Sequence, residues 1–549
     1  MKAIAVCLLS AAACGAFAQS SKSLPMNGGA AGERLGTVAF PVSCSAATQA
    51  KFNRGVALLH DFWYAEAGPQ FERIAKADPK CAMAHWGIAM SAFHQIWDRP
   101  DAGELKAGWA EMQKAQRPAA KTERERGYID ALTAFYKPGY ADYATRVQAY
   151  SAAMGQLYGD YPDDVNAGAF YALSLLAAED PQDTSLTQEH KAMAVLTPLF
   201  AKYPDNPGLV HYIIHSCDNP SMAREGLAAA EHYAAIAPDG PHAVHMAGHI
   251  FARLGMWPQD IDAQIGSIAA SDAAEARHES GLMDEPHSYD FLMYAYLQSG
   301  QDAKAKAVLQ QSAAAVDRIA DMPGMGGGYM QGMTGYYRMK FPVFYALEMR
   351  VWAAAAALEP AAGANPEDAA LVWWARSIGD GHLRRAQQAN ADLAQFDVLM
   401  NEVKKGSHAY VAGSTGTQIE RGEIAAWASA AAGREDEALS AMRGAADLQD
   451  KVGQGEVDIP ARGMLGDMLL ENRQPQQALA EYRVALKLSP GRFNGLYHAG
   501  VAADEAGDAA AARGYFAALL ASTGNGEHSS RPELAHAKSF MEAGAAAGQ

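Results

Sequence analysis

Residues 459–492 read IPARGMLGDMLLENRQPQQALAEYRVALKLSPGR, and this stretch decides the fold. It reads as two short helices joined by a turn. Small residues (Gly466, Ala478, Ala485) stand where two helices would approach each other, and Pro490 closes the unit. Proline cannot continue a helix, and the residue before it avoids the α region. Counted from Ile459, the residues Leu465, Gly466, Ala478, Tyr482, Ala485 and Pro490 occupy positions 7, 8, 20, 24, 27 and 32 of a 34-residue unit.

The same register continues in residues 493–526, with Gly500, Ala512 and Phe516. Near the other end, a unit beginning at Thr48 places Gly55, Ala67, Phe71 and Pro79 at positions 8, 20, 24 and 32. These three units resemble the tetratricopeptide repeat (TPR) family, whose helical hairpins repeat every 34 residues. The middle is more divergent. A unit beginning at Pro241 has Gly248, Phe251 and Gly255 at positions 8, 11 and 15, but Asp260 where alanine is usual. A unit at Pro286 keeps Tyr296, Gly300 and Ala305, and one at Pro207 keeps only the pattern of its first helix. Segments such as FNRGVALLHDFWYAEA, HYIIH and PHAVHMAGHIFARLG are similar to a group of exported bacterial TPR proteins, a likeness that gives fold and compartment but no reaction. The resemblance implies an all-α chain, a TPR-like α-α superhelix of about 9–11 hairpins, several of them irregular.

The organisation expected is a signal peptide over 1–18, a flexible leader over 19–43, a TPR-like array over 44–320, a Gly/Met-rich connector over 321–340 and a second array over 341–549 that ends in a capping helix. Lys2, the apolar run from Ile4 to Phe17 and the Ala16-Phe17-Ala18 site before Gln19 carry the signal-peptide reading, with cleavage after Ala18. A lipoprotein site at Cys14 is the lesser alternative, because Ala11-Ala12-Ala13 lacks the usual large aliphatic residue. No later run reaches the ~18 consecutive apolar residues of a membrane span. A periplasmic or secreted protein is expected. Three cysteines then remain, and a Cys44–Cys81 disulfide is the preferred pairing because both precede helices that neighbour each other in a solenoid; three reduced thiols are the alternative. The net charge of −17 argues against nucleic acid as a partner.

One feature suggests chemistry. His211 and His245 are 34 residues apart, as are His215 and His249, and His242 and His287 complete a lattice of six. Residues at positions 2, 5 and 9 of a TPR first helix share one face, which in the family lines the concave groove. His242, His245 and His249 take those positions in the Pro241 unit, His211 and His215 take 5 and 9 in the Pro207 unit, and His287 takes 2 in the Pro286 unit. Imidazoles four residues apart on a helix can share an ion, and three or four nitrogens suit zinc, copper, nickel or iron(II). Asp290 or Glu285 could ligate or orient an imidazole from behind, and Tyr294 stands with Asp290 on the groove face of the Pro286 unit. Against this stands the ordinary reading of polar groove residues as contacts for a peptide.

The chain has no HExxH zincin motif: His278-Glu279 is followed by Ser280 and Gly281. Met322, Met325, Met330 and Met333 could offer thioethers to copper(I), although gap-filling Met in a connector is the favoured account. His60 to Tyr64, with His85, Trp86, His94 and Trp97, read as aromatic packing. His190, His232, His382, His408, His498, His528 and His536 read as surface or helix-end residues. The functional expectation is therefore an exported scaffold that binds a peptide, protein or small ligand in its groove beside a histidine-held metal. A metal-dependent hydrolase or oxidoreductase and a metal-free interaction scaffold are the alternatives.

Overall fold

Helix follows helix through the computed structural model, which describes residues 32–96, 99–117, 122–140, 142–180, 183–320, 328–406 and 409–546. Twenty-five α-helices and no strand occur among the described residues. Eleven consecutive pairs pack as hairpins, and the remainder are Gly328–Glu348, the one-turn Trp352–Ala355 and the final Pro532–Ala546. The chain is an all-α solenoid of TPR-like hairpins. The expected signal peptide lies outside the described residues.

The repeat positions explain the hairpins. A Cβ on Gly466 would sit 2.6 Å from the Tyr482 ring, one on Gly500 2.6 Å from Phe516, and one on Gly55 2.6 Å from Phe71. Position 8 therefore has to be glycine wherever position 24 is a ring packed against it. Between the two helices of a hairpin, Gly255 turns the chain at φ 67° and Gly300 at φ 68°, a conformation that only glycine adopts freely.

Two expectations are corrected. The leader is not flexible where it is described. Leu35, Val38 and Phe40 are buried, and the Gly36 and Thr37 amides donate to the carbonyls of Ile236 and Asp205. Phe40 lies among Phe52, Trp86 and Tyr128, so burial of its ring fixes the strap in place. The connector of 321–340 is helical from Gly328 onward, and residues 321–327 lie outside the described set. Glycine costs about 1 kcal/mol in a helix, but burying Tyr337, Met339, Phe341, Val343 and Leu347 offsets it at roughly 1.5–3 kcal/mol each. Met333 packs against this core, while Met322 and Met325 are outside the described residues.

Cys44 and Cys81 are joined (S–S 2.04 Å), and Cys217 is a free, buried thiol. The bond closes a loop with a sequence separation of 37. Replacing both cysteines by serine is expected to cost about 3–4 kcal/mol, read as a lowered urea midpoint. An unchanged midpoint would show that packing alone holds the first hairpins.

The superhelix winds far enough to bring late repeats onto early ones. Trp257 Nε1 donates to the Gly491 carbonyl at 2.9 Å, Tyr294 Oη to the Asp458 carbonyl at 3.2 Å, and Arg253 Nη1 to the Gln454 carbonyl at 2.5 Å. Two apolar clusters meet in the hairpin Pro241–Arg253 and Trp257–Ala276. The histidine lattice sits at that junction.

Candidate metal centre

Three helices carry the six histidines: Pro207–Cys217, Pro241–Arg253 and Glu285–Gln298. Each has proline in its first turn, where the missing N–H has no partner to lose. Asn206 caps the first helix by accepting from the Leu209 amide at 3.2 Å.

The histidines divide into two triads rather than one centre. His211, His215 and His242 form one, and His245, His249 and His287 the other, with one ligating nitrogen from each residue lying within 4.8 Å of the others in its triad. Each triad has the same plan: an i, i+4 pair from one helix and the second residue of the next unit's helix. The 34-residue spacing repeats the i, i+4 pair, while the third residues, His242 and His287, stand 45 apart (287 − 242).

Four of these imidazoles do not lie in the expected open groove, while His215 and His287 are half-buried. His211, His242, His245 and His249 are 0%, 4%, 1% and 9% exposed, because the winding of the superhelix covers its own inner face. One phenylalanine covers each triad. The Phe62 ring is 4.3 Å from His211, 5.4 Å from His215 and 5.7 Å from His242, and its backbone takes φ 54° to place it there. Phe291 is 4.9 Å from His245, 4.7 Å from His249 and 5.2 Å from His287.

Hydrogen bonds orient the rings from behind. His211 Nδ1 donates to the His60 carbonyl at 2.5 Å, which turns its Nε2 toward His215 Nε2 at 2.9 Å. His245 Nδ1 donates to Gln264 Oε1 at 2.6 Å, and Gln264 gives its amide to Asp260 at 2.8 Å. His249 Nδ1 meets two carboxylates, Asp218 at 2.8 Å and Glu456 at 2.6 Å, and Arg253 holds Asp218 in turn. His245 Nε2 and His249 Nε2 are left facing each other at 2.9 Å.

The electrostatics separate His249 from the other five. Burial, reinforced by neighbouring imidazoles, pulls His211, His215, His245 and His287 well below the usual histidine range and His242 to about 3. These five are neutral at pH 7 and offer lone pairs. For His249, burial also lowers the pKa, but the charges of Asp218 and Glu456 outweigh it and push the ring to about 10.

The other sequence candidates lie elsewhere. Glu285 holds Arg318 Nη2 with both oxygens, at 2.6 and 2.5 Å. Asp290 pairs with Lys340, and Tyr294 donates to the Asp458 backbone. The residues that do orient the imidazoles are Asp218, Gln264, Glu456 and the His60 carbonyl, with the Tyr337 hydroxyl 3.3 Å from His287 Nδ1 and Asp284 3.6 Å from His242 Nδ1. Gln264 carried a signal: it stands at position 24 of the Pro241 unit, where the three regular units have a ring. His60 is buried against Phe170, with Nδ1 2.9 Å from the Tyr212 hydroxyl. His382 is not at the surface; it lies between Trp352 and Trp427, 3.7 Å from each ring centre. Trp97 and His408 are outside the described residues.

Gly248 holds this arrangement at its tightest point. A Cβ there would meet Gln264 Nε2 at 1.9 Å and Asp260 Oδ1 at 2.6 Å. Gly248→Ala is expected to push Gln264 away from His245 and weaken metal binding about 10–100-fold. Chelator competition measures this, and an unchanged affinity would remove Gln264 from the account.

Beside the second triad opens a cleft of about 490 Å³ lined by His287, Phe291, Trp374, Glu420, Glu423 and Asp458, among others. No helix among the described residues is long and apolar enough to cross a membrane.

No family model matches the chain, and no curated protein matches it in sequence. Among solved structures, it is similar to the structure of Naa15/Naa10 bound to HypK-THB at 12% identity, covering 90% of this chain and 73% of that one, with a TM-score of 0.22. The TPR domain of P58(IPK) shows 13% identity over 77% of this chain and 99% of its own, with a TM-score of 0.22. At those scores neither likeness bears on function.

Proposed function

We propose that this chain is an exported helical-repeat scaffold that binds a transition-metal ion at each of two trihistidine sites and a ligand in the adjoining cleft. One observation carries the metal reading. His245 and His249 each direct Nδ1 to a fixed acceptor and turn Nε2 toward the other at 2.9 Å. Two lone pairs at that distance repel unless a cation stands between them. A proton on His249 fills this role in the metal-free protein. An ion bound at ~2.0–2.1 Å by both nitrogens would also set them roughly 3 Å apart, and it recruits His287 as a third ligand.

Zinc, copper, nickel and iron(II) all suit a site of neutral imidazoles. Three protein ligands leave a coordination position open, and the second triad meets the cleft at His287. That is the observation favouring the alternative of a metal-dependent hydrolase or oxidoreductase. Export is supported by the signal-like N-terminus and by a disulfide of the kind oxidising compartments maintain.

The test is metal content after reconstitution, with wild type beside His245→Ala/His249→Ala and His211→Ala/His215→Ala. Two ions per chain are expected in wild type and one in each variant. No bound ion after exposure to zinc, copper, nickel or iron(II) would overturn the proposal.

A further inference from the structure

The cleft beside the second triad has an unusual combination of walls. Phe291, Phe344, Trp374, Leu371 and Ile419 give it an apolar interior, and about 490 Å³ is a common size for a small-molecule pocket. Five carboxylates line the same space: Asp290 is paired with Lys340 and Glu456 meets His249, which leaves Glu420, Glu423 and Asp458. Glu420 and Glu423 form no ion pair with a lysine or arginine among the described residues, whereas Asp458 accepts from the Ile459 amide at 2.8 Å and feels the charges of Lys340 and Arg492. Lys340, the cation lining the cleft, is committed to Asp290. Glu423 is 2% exposed; its Oε2 accepts from Trp374 Nε1 at 2.8 Å, while no hydrogen bond reaches Oε1 among the described residues.

Buried carboxylates without counter-ions are costly. Burial first, and then the Asp458 charge, raise Glu420 to about 7 and Glu423 well above the usual carboxylate range. A cation in the cleft would favour ionisation of these carboxyls and stand in for the protons that burial keeps on them, and the net charge of −17 favours its approach. Glu420, Glu423 and Asp458 are not among the groups of metal-ligating side chains whose ligand atoms lie within 4.8 Å of one another. The aromatic faces instead suit an organic cation, since an ammonium beside a ring gains from the ring's quadrupole.

We infer that the cleft binds an organic ammonium ion with an apolar body, its nitrogen held by Glu420, Glu423 and Asp458 and its body against Trp374 and Phe344. This rests on the reading of the cleft as the ligand site and not on the metal.

The probes are phenethylammonium, its opposite-charge analogue 3-phenylpropanoate, and a capped Gly-Lys-Gly tripeptide. Each is titrated calorimetrically into metal-free and zinc-loaded protein. Phenethylammonium or the lysine peptide is expected to bind at least about tenfold more tightly than the carboxylate, and whichever binds better tells a free amine from a peptide-borne one. Glu420→Gln/Glu423→Gln is expected to weaken the ammonium about tenfold or more. If that variant does not fold, the half-buried Glu420→Gln is measured alone. Equal binding of the carboxylate, an unchanged affinity in a folded variant, or no binding of either ammonium probe would overturn the inference. Metal content measured on the same samples keeps that outcome separate from a failure of the metal sites.

Discussion

Between pH 6 and pH 8, zinc affinity at the His245–His249–His287 triad is expected to rise about a hundredfold, while the His211–His215–His242 triad changes little. The difference follows from His249. Asp218 and Glu456, acting against burial, hold its pKa at about 10, so it carries a second proton throughout this range. A metal entering there must displace that proton, and affinity rises about tenfold for each unit of pH. His245 and His287 are already neutral, their pKa values lowered by burial and neighbouring rings, and add no further dependence. All three rings of the other triad are likewise lowered, with His242 at about 3, so nothing leaves when metal binds. Chelator-buffered zinc titrations on the two double-alanine variants, each keeping one triad, measure the slopes separately. Glu456→Gln should flatten the steep one. Equal slopes at the two triads would contradict the protonation assigned to His249.

The second large effect is on stability. Arg492→Met is expected to cost about 3–5 kcal/mol, because it leaves Glu348 charged and buried without its counter-ion. Glu348 is 2% exposed and pairs with Arg492, while Gln298 and Asn494 each donate to its Oε2 at 3.1 Å. This network ties the Glu285–Gln298 helix, which carries His287, to the Gly328–Glu348 helix and to Phe493–Glu505. Arg492→Met/Glu348→Met should recover most of the loss, since removing both charges removes the stranded one. Urea unfolding followed by circular dichroism reads both variants. A double variant no more stable than the single one would show that the pair acts through shape and not charge.

Local features of the fold were legible because local rules govern them. Gly466 and Tyr482, sixteen residues apart, announce a hairpin, and in the structure they touch across it. The same spacing relates Gly248 to Gln264, a polar residue in the slot of a ring, although the reading of that unit stopped at Asp260. The lattice of six histidines was legible too, as was the face they share. Its division into two triads was not, because that depends on how far neighbouring helices turn relative to one another. Glu456 was out of reach for a similar reason. It meets His249 across a sequence separation of 207, a contact made by the accumulated twist of many units. Phe62 was read as aromatic packing, and it does pack; that it packs on the histidines required the reversal of the chain at φ 54°. The helix from Gly328 ran against local propensity, since tertiary burial outweighs the preference of its glycines.

The central claim is that two ions sit one repeat apart, each held by three imidazoles. Crystals of zinc-loaded protein, with data collected on both sides of the zinc absorption edge, test it most directly. Two anomalous peaks are predicted, one among His211, His215 and His242 and one among His245, His249 and His287, each with three nitrogens at ~2.0–2.1 Å. Zinc found elsewhere on the molecule, with both triads holding only protons, would contradict the account.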